Sequence, residues 1–465
     1  MQAGDLQHNV AFPLTGADFG PGFVWGCSTS AFQIEGAVAE DGRVDSIWDT
    51  FCRRPGAIRD GATADIACDH YHLWERDLDL AASLGIQAYR FSIAWPRIFG
   101  GGGDQPNQAG LDFYSRLVDG MLARGLVPWA TLYHWDLPQA LQDHGGWASR
   151  ATIDAFARFA GQVTQRLGDR VKHWITHNEP WCTAFHGNLD GNHAPGIRDL
   201  ATAVQVSHNV MVSHGRALQA IRAHVPGAQA GITLSLHPLR PASDSAADLA
   251  ACERHDGLRN RWFLDPLHGR GYPADIVAAL GSAAPKAEPG DMDLIAARTD
   301  FLGVNYYFPE VVADAPGVGA LGLRIIAQEN VERTAFDWEV NPAGMVTLLA
   351  RIHTQYRSGP IYLTENGSTY DDVQQSDGRI DDIERSSYLQ RHLAALHEAM
   401  QLGVPVKGYF YWSLLDNFEW AEGYARRFGL AYVDFATQQR RLKASGEWFQ
   451  SFLSRQQGET INSGS

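Results

Sequence analysis

Two short stretches carry residues whose types and order suit acid–base chemistry. Residues 361–367, IYLTENG, run apolar and β-branched and then stop at Glu365, Asn366 and Gly367, where Asn-Gly marks a turn. Residues 173–180, HWITHNEP, repeat that grammar and stop at Asn178 and Glu179. An unpaired buried charge is expensive, so a carboxylate that ends a buried strand calls for a partner or a function. For either Glu alone, a strand-to-loop junction with a solvated carboxylate is the simpler reading. Two of them with one grammar point to a paired-carboxylate site. Glycoside hydrolysis is the reaction class most often built on such a pair.

The elements that must position these carboxylates recur along the chain. Amphipathic helices are predicted over 70–84, 111–124, 152–167 and 387–402, stopped by Gly85, Gly125, Gly168 and Gly403. Glycine is expected at each stop because it accepts the left-handed conformation. A near-continuous apolar strand follows each stop, which indicates a parallel sheet buried on both faces. The first three stops lie roughly 40 residues apart, about one βα unit with its loop. Candidate strands are 23–29, 88–95, 127–135, 173–179, 229–236, 301–307, 361–365 and 406–414. Alternation with helices predicts an α/β chain folded as a single (β/α)8 TIM barrel with long βα loops. The first turn lacks Gly-x-Gly-x-x-Gly, which weakens a doubly wound alternative. The whole chain, 1–465, is expected to be one catalytic domain with polar tails at 1–17 and 456–465. Residues 240–260, 281–292 and 308–343 are expected to be long loops, and Gly100–Gly103 a flexible one.

A barrel builds its site where the strands end. That rim collects Gln33 and Glu35, Arg90, then His134, Trp135 and Asp136. It continues with Asn178 and Glu179, then Asn305, Tyr306 and Tyr307. Glu365 and Asn366 follow, then Trp412 with Asp416, Asn417, Phe418, Glu419 and Trp420 beyond it. The fifth strand offers only His237. Singly, Arg90 reads as a buried salt bridge, His134 as a satisfied core histidine and Trp412 as packing. Jointly, hydrogen-bonding and stacking groups meet two carboxylates at one rim. There is no His-x-His on the first strand and no His-Glu-x-x-His, so a metal-dependent hydrolase is the weaker reading and neither metal nor cofactor is expected.

Bulk properties narrow the partners. The 465 residues are 45% hydrophobic and 11% aromatic with 14 Trp, ample for a core and for indole faces that stack on sugars. The net charge of −15 opposes phosphate backbones, so no nucleic-acid partner is expected. No apolar run of ~18 residues is present, so no membrane span is expected. The five cysteines are scattered, which suits free thiols in a reducing compartment, and the cytoplasm is the expected location.

These residues resemble the family 1 glycoside hydrolases, the β-glucosidase family, from about residue 19 to 452. The resemblance rests on FVWGCSTSAFQIEGA near the start, YRFSIAWPRI at 89–98 and TLYHWDLPQAL at 131–141. THNEPW at 176–181, NYY at 305–307, LTENG and WSLLDNFEW at 412–420 complete it. It implies a retaining exo-β-glycosidase, with Glu365 as nucleophile and Glu179 as acid/base. Arg90 and Tyr307 would hold the nucleophile ionised and oriented, with Asn305 supporting the pair on the acid/base side. Gln33, His134, Asn178, Glu419 and Trp420 would bind sugar hydroxyls beside Trp135. Trp412 would form the stacking floor and Phe428 would close the pocket. Arg90 is expected to lower the pKa of Glu365. Members acting on 6-phosphorylated sugars carry Ser and Lys in place of the NFEW-type segment, so Glu419 favours an unphosphorylated sugar. Glu179, which is Gln in plant thioglucosidases, favours O-glycosides. The expected substrate is a β-glucoside or cello-oligosaccharide, with β-fucoside and β-galactoside side activity. A mainly transglycosylating enzyme, a 6-phospho-β-glycosidase and a non-catalytic sugar-binding barrel rank below. Trp181, His186, His193 and Trp338 are candidates for the aglycone side.

Overall fold

The computed structural model describes residues 12–100 and 105–454. Eight parallel strands close into a barrel among the described residues. They are β1 (Val24–Ser28), β2 (Ala88–Ser92), β3 (Val127–Tyr133), β4 (His173–Asn178), β5 (Gln229–Ser235), β6 (Phe301–Asn305), β7 (Ile361–Asn366) and β8 (Val406–Trp412). Neighbours in sequence are neighbours in the barrel. β8 closes on β1 in a register running from Val24 opposite Gly408 to Ser28 opposite Trp412. This is the expected (β/α)8 barrel. Several strands stop short of their expected ends, so Trp135, Glu179, Tyr307 and Leu414 lie past them. Trp95, placed in the second strand by sequence, instead opens a short helix, Trp95–Ile98.

The barrel interior is plugged on one side by Ala88, Trp129, Ile175, Phe301 and Phe410. Trp129 is the hub, its ring centroid 4.7 Å from that of Tyr362 and 5.0 Å from that of Phe410. Arg90, Asn178, Asn305 and Thr364, all buried, occupy the interior toward the strand ends. The outer helices pack apolar faces on the strands. They include α1 (His70–Ser83), α2 (Gln108–Ala123), α3 (Ala151–Leu167) and α4 (Leu200–His224).

Gly85, Gly125 and Gly403 are left-handed, as expected at helix stops. Gly168 is not, with φ −71°. Space is its constraint, because a Cβ there would lie 2.4 Å from both the Thr164 carbonyl oxygen and Val225. The expected loops also carry structure. Residues 240–260 contain α5 (Ala246–Asp256), which buries only Ala251 and His255 and so shows no apolar stripe. Residues 281–292 contain a helical turn, Gly281–Ala283, and the start of Asp291–Ile295. Residues 308–343 supply Glu310–Asp314 and Leu323–Ile325, which pair with each other, and Glu310–Asp314 also pairs with Leu239–Pro241 outside the barrel. The expected N-terminal tail is packed from Phe12, whose ring lies 5.5 Å from Trp448. Residues 1–11, 101–104 and 455–465, with most of the four-glycine loop and the C-terminal tail, lie outside the described residues. No helix among the described residues is long and apolar enough to cross a membrane.

Candidate active site

Period-two alternation alone would turn Glu179 and Glu365 in different directions from the residues before them. Both strands break that period just before the carboxylate. On β4, Ile175 joins the interior plug. Thr176 and His177 then both turn outward to α4, bonding His214 at 2.7 Å and Ser213 at 2.8 Å. A register shift against β5 falls between Ile175 and Asn178. On β7, a shift against β6 falls between Leu363 and Glu365. A bulge re-aims the side chains that follow it. Here it brings Asn178 with Glu179, and Thr364 with Glu365, to the same rim.

Three rim residues are held in the left-handed region without being glycine: Glu179 at φ 49°, Trp135 at φ 80° and Trp420 at φ 49°. Such conformations cost about 1–3 kcal/mol each and persist where neighbours over-determine them. Trp135 is fixed by its indole N–H, which donates to the Asn178 carbonyl at 3.0 Å. Its ring lies 4.4 Å from Trp420, which in turn lies parallel to Phe32 at 5.9 Å.

The two carboxyls have different partners. Arg90 donates to Glu365 Oε1 at 2.5 Å, and Tyr307 Oη donates to Oε2 at 2.8 Å. Among the described residues Glu179 receives only neutral donors, Asn305 Nδ2 at 2.8 Å on Oε1 and Cys182 Sγ at 3.2 Å on Oε2. Asn305, placed by the resemblance on the acid/base side, bonds that carboxyl and not Glu365. Arg90 does pull the Glu365 carboxyl down, as expected, but that pull is outweighed. Burial pushes the Glu365 carboxyl up to about 7, and the charge of Glu179 adds to it, against the pull of Arg90 and Tyr307.

The remaining predicted residues line the same rim. Gln33 Nε2 donates to Asn417 Oδ1 and the Phe418 carbonyl, each at 2.9 Å, and to Glu419 Oε2 at 3.3 Å. Burial and the two other carboxyls push Glu419 well above the usual range. Burial holds His134 far below the usual imidazole range, so it is neutral. Its Nε2 accepts from Asn178 Nδ2 at 3.1 Å, which puts the hydrogen on Nδ1. The Trp412 ring lies 5.8 Å from His134, and Phe428 lies 6.1 Å from Tyr307. The segment bearing Glu419, Trp420 and Phe428 is pinned from behind by buried Asp416, which accepts from Lys443 at 2.6 Å and Arg427 at 2.7 Å.

Sequence reasoning missed Cys182, Thr364 and Arg259. Thr364 Oγ1 donates to Asn305 Oδ1 at 2.7 Å. Arg259 lies 4.4 Å over the Trp181 ring, which also stacks on Phe185 at 4.2 Å. Thr364 was hidden because alternation turns it away from Glu365, and the register shift brings both to the rim. Arg259 sits on a helical turn (Gly257–Arg261) after α5, inside a segment with no sequence signal. Of the aglycone candidates, Trp338 stacks on Phe336 at 4.4 Å and lies 5.3 Å from Tyr307. His193 lies 5.7 Å from Trp135 and 5.0 Å from His186.

The family model described as Glycosyl hydrolase family 1 matches residues 16–458. Beta-glucosidase A of Thermotoga maritima is 43% identical over 94% of this chain and 97% of its own length. A bifunctional beta-D-glucosidase/beta-D-fucosidase of Bifidobacterium breve is 40% identical over 94% of this chain and 98% of its own. The structure of a beta-glucosidase from Thermotoga maritima in complex with deoxynojirimycin superposes with a TM-score of 0.92 at 42% identity, covering 94% of this chain and 99% of that one.

Proposed function

Since the chain belongs to glycosyl hydrolase family 1, and is therefore a glycoside hydrolase, we propose that it is a retaining, exo-acting β-glucosidase working through Glu365 and Glu179. Its substrates would be β-glucosides and short cello-oligosaccharides, with β-fucosides and β-galactosides as lesser ones. The observation that carries the assignment of roles is the asymmetry of partners. A guanidinium and a phenol favour the anion at Glu365, and no cation among the described residues bonds Glu179. In this assignment Glu365 attacks as the anion and Glu179 serves as the proton donor.

The chemistry follows from that distribution. The Glu365 carboxylate attacks C1 of the sugar. The bond from C1 to the leaving oxygen breaks, and Glu179 gives its proton to that oxygen. The product of this half is a glycosyl ester on Glu365. Glu179, now anionic, takes a proton from water as the water oxygen attacks C1 and the ester bond breaks. Two inversions leave the β configuration unchanged. Gln33, His134, Asn178, Glu419 and Trp420 supply hydroxyl contacts, Trp412 supplies the apolar face, and Phe428 closes the Tyr307 side. The free, mostly buried thiols support a cytoplasmic setting.

The test is kcat/KM on p-nitrophenyl β-glucoside, galactoside, fucoside, mannoside, xyloside and glucoside 6-phosphate. A lead for glucoside or fucoside is expected. A lead for the 6-phosphate would overturn the assignment of Glu419, and no turnover of any member would overturn the catalytic assignment.

A further inference from the structure

We propose that Thr364 is a positioning residue for the acid/base carboxyl, its hydroxyl locking the Asn305 amide so that only N–H faces Glu179; this rests on the role of Glu179 given above.

The lock follows from donor and acceptor inventories. Arg90 has no acceptor. Its Nη2 lies 2.6 Å from Asn178 Oδ1, which fixes that atom as oxygen. Asn305 Nδ2 lies 3.1 Å from the same oxygen and 2.8 Å from Glu179 Oε1, so that end of the amide must be NH2. Asn305 Oδ1 therefore points away, to the Thr364 hydroxyl at 2.7 Å. Thr364 Oγ1 in turn accepts from Thr233 Oγ1 at 3.2 Å. The result is a one-way chain of donors from β5 through β7 and β6 to the residue that ends β4. The fifth strand, which offered only His237 by sequence, supplies its first member.

Two further features fit a built device. All four side chains, Thr233, Thr364, Asn305 and Asn178, are at most 1% exposed, so water does not substitute for a lost partner. On β6, a Cβ at Gly303 would lie 2.3 Å from Thr233 Oγ1 and 3.0 Å from Thr364 Oγ1, so only glycine leaves room for the pair of hydroxyls.

Without the Thr364 hydroxyl, buried Asn305 Oδ1 loses its donor, and the amide is no longer held where it donates to Glu179. The carboxylate that forms as Glu179 releases its proton then loses the full strength of that donor. The penalty falls on leaving groups that need that proton and spares those that depart unaided.

The experiment compares kcat/KM on phenyl β-glucoside, whose leaving group needs protonation, and dinitrophenyl β-glucoside, whose leaving group does not. General acid catalysis is worth about 10²–10⁴-fold, and removing one donor to it should cost a part of that. Thr364→Val is expected to lose about tenfold or more on the phenyl substrate and less than about threefold on the dinitrophenyl one. Thr364→Ser should stay within about threefold of wild type on both. Equal losses by Thr364→Val on the two substrates, or a Thr364→Ser that copies Thr364→Val, would overturn the proposal. If Thr364→Val does not fold, Thr233→Val is measured instead. A smaller gap in the same direction supports the chain, and no gap overturns it. Glu179→Gln separates the two levels. If it shows no gap between the substrates, the role of Glu179 falls and Thr364 with it. If it shows the gap and the threonine variants do not, only the proposal about Thr364 falls.

Discussion

Asn305 stands opposite Glu365 in the register of β6 and β7, yet its amide donates at 2.8 Å to Glu179. One residue thus ties the two carboxyls together, one through the backbone ladder and the other through a side chain. The geometry exists because each strand carries a register shift just before its carboxylate. It also explains why support for the pair divides as it does, with the charge on one side and neutral donors on the other.

Removing the phenol that bonds Glu365 should change the pH profile. Tyr307 and Arg90 both favour the Glu365 anion, so Tyr307→Phe raises the pH at which that carboxyl ionises, from a value burial has already pushed up to about 7. Glu365 must be anionic to attack, so activity is lost as pH falls through this ionisation. The acidic limb of kcat/KM should move up by about one pH unit, a single charge-assisted hydrogen bond's worth. A limb that stays in place or moves down contradicts the assignment.

Glu419 should act on one end of the sugar. Its carboxyl meets Gln33 and lies among buried groups, with no cation among the described residues bonded to it. Glu419→Ala should lower kcat/KM on p-nitrophenyl β-glucoside by about 10- to 100-fold. The loss on β-xyloside, which lacks the hydroxymethyl group, should be smaller. An unchanged glucoside-to-xyloside ratio would remove Glu419 from recognition of that group. Wild-type activity on glucoside 6-phosphate should be at least about 100-fold below that on glucoside, because a phosphate here meets carboxyls and carbonyls.

Gly367 has a packing role that thermal or denaturant unfolding can measure. A Cβ there would lie 1.8 Å from the Trp412 carbonyl oxygen, a backbone atom with nowhere to rotate. Gly367→Ala should cost about 1–3 kcal/mol or more of stability and displace β7 from β8 beside the site. Unchanged stability would mean that the close approach is not needed.

Much of the fold was legible because its signals are local. Runs such as Ala88–Ser92 and Val406–Trp412 are mostly apolar and almost wholly buried, and positive-φ Gly85, Gly125 and Gly403 stop helices. The carboxylates were legible as strand-ending Glu residues. What alternation could not show was the pair of bulges, since a register shift is a relation between strands. It hid why Thr176 and His177 face α4 together and why Thr364 and Glu365 face the rim together. Gly367 was read as a turn signal, and its reason is the nearby Trp412 carbonyl. Arg259 arrives from a helical insert whose first helix buries two residues and therefore leaves no periodic trace. The direction of the Glu365 shift depends on burial in the finished barrel, which a list of neighbours along the chain does not contain.

Loss of Glu365 should be nearly complete. Glu365→Gly should lower turnover on the order of 10⁴-fold or more while sugar binding persists, since the contacts of Gln33, His134 and Glu419 remain. Binding is measured by calorimetry with glucose, and turnover on dinitrophenyl β-glucoside. Residual turnover within about tenfold of wild type would exclude Glu365 as nucleophile.

The roles of the two carboxyls are tested most directly by the anomeric configuration of the azide adduct formed by Glu179→Ala from dinitrophenyl β-glucoside, read by proton NMR. With Glu365 as nucleophile, the glycosyl ester still forms, and azide enters where the Glu179 carboxylate has been removed. The expected product is β-glucosyl azide, with turnover restored by azide. An α-glucosyl azide would mean that azide had replaced a nucleophile at Glu179, and would contradict the assignment of both residues.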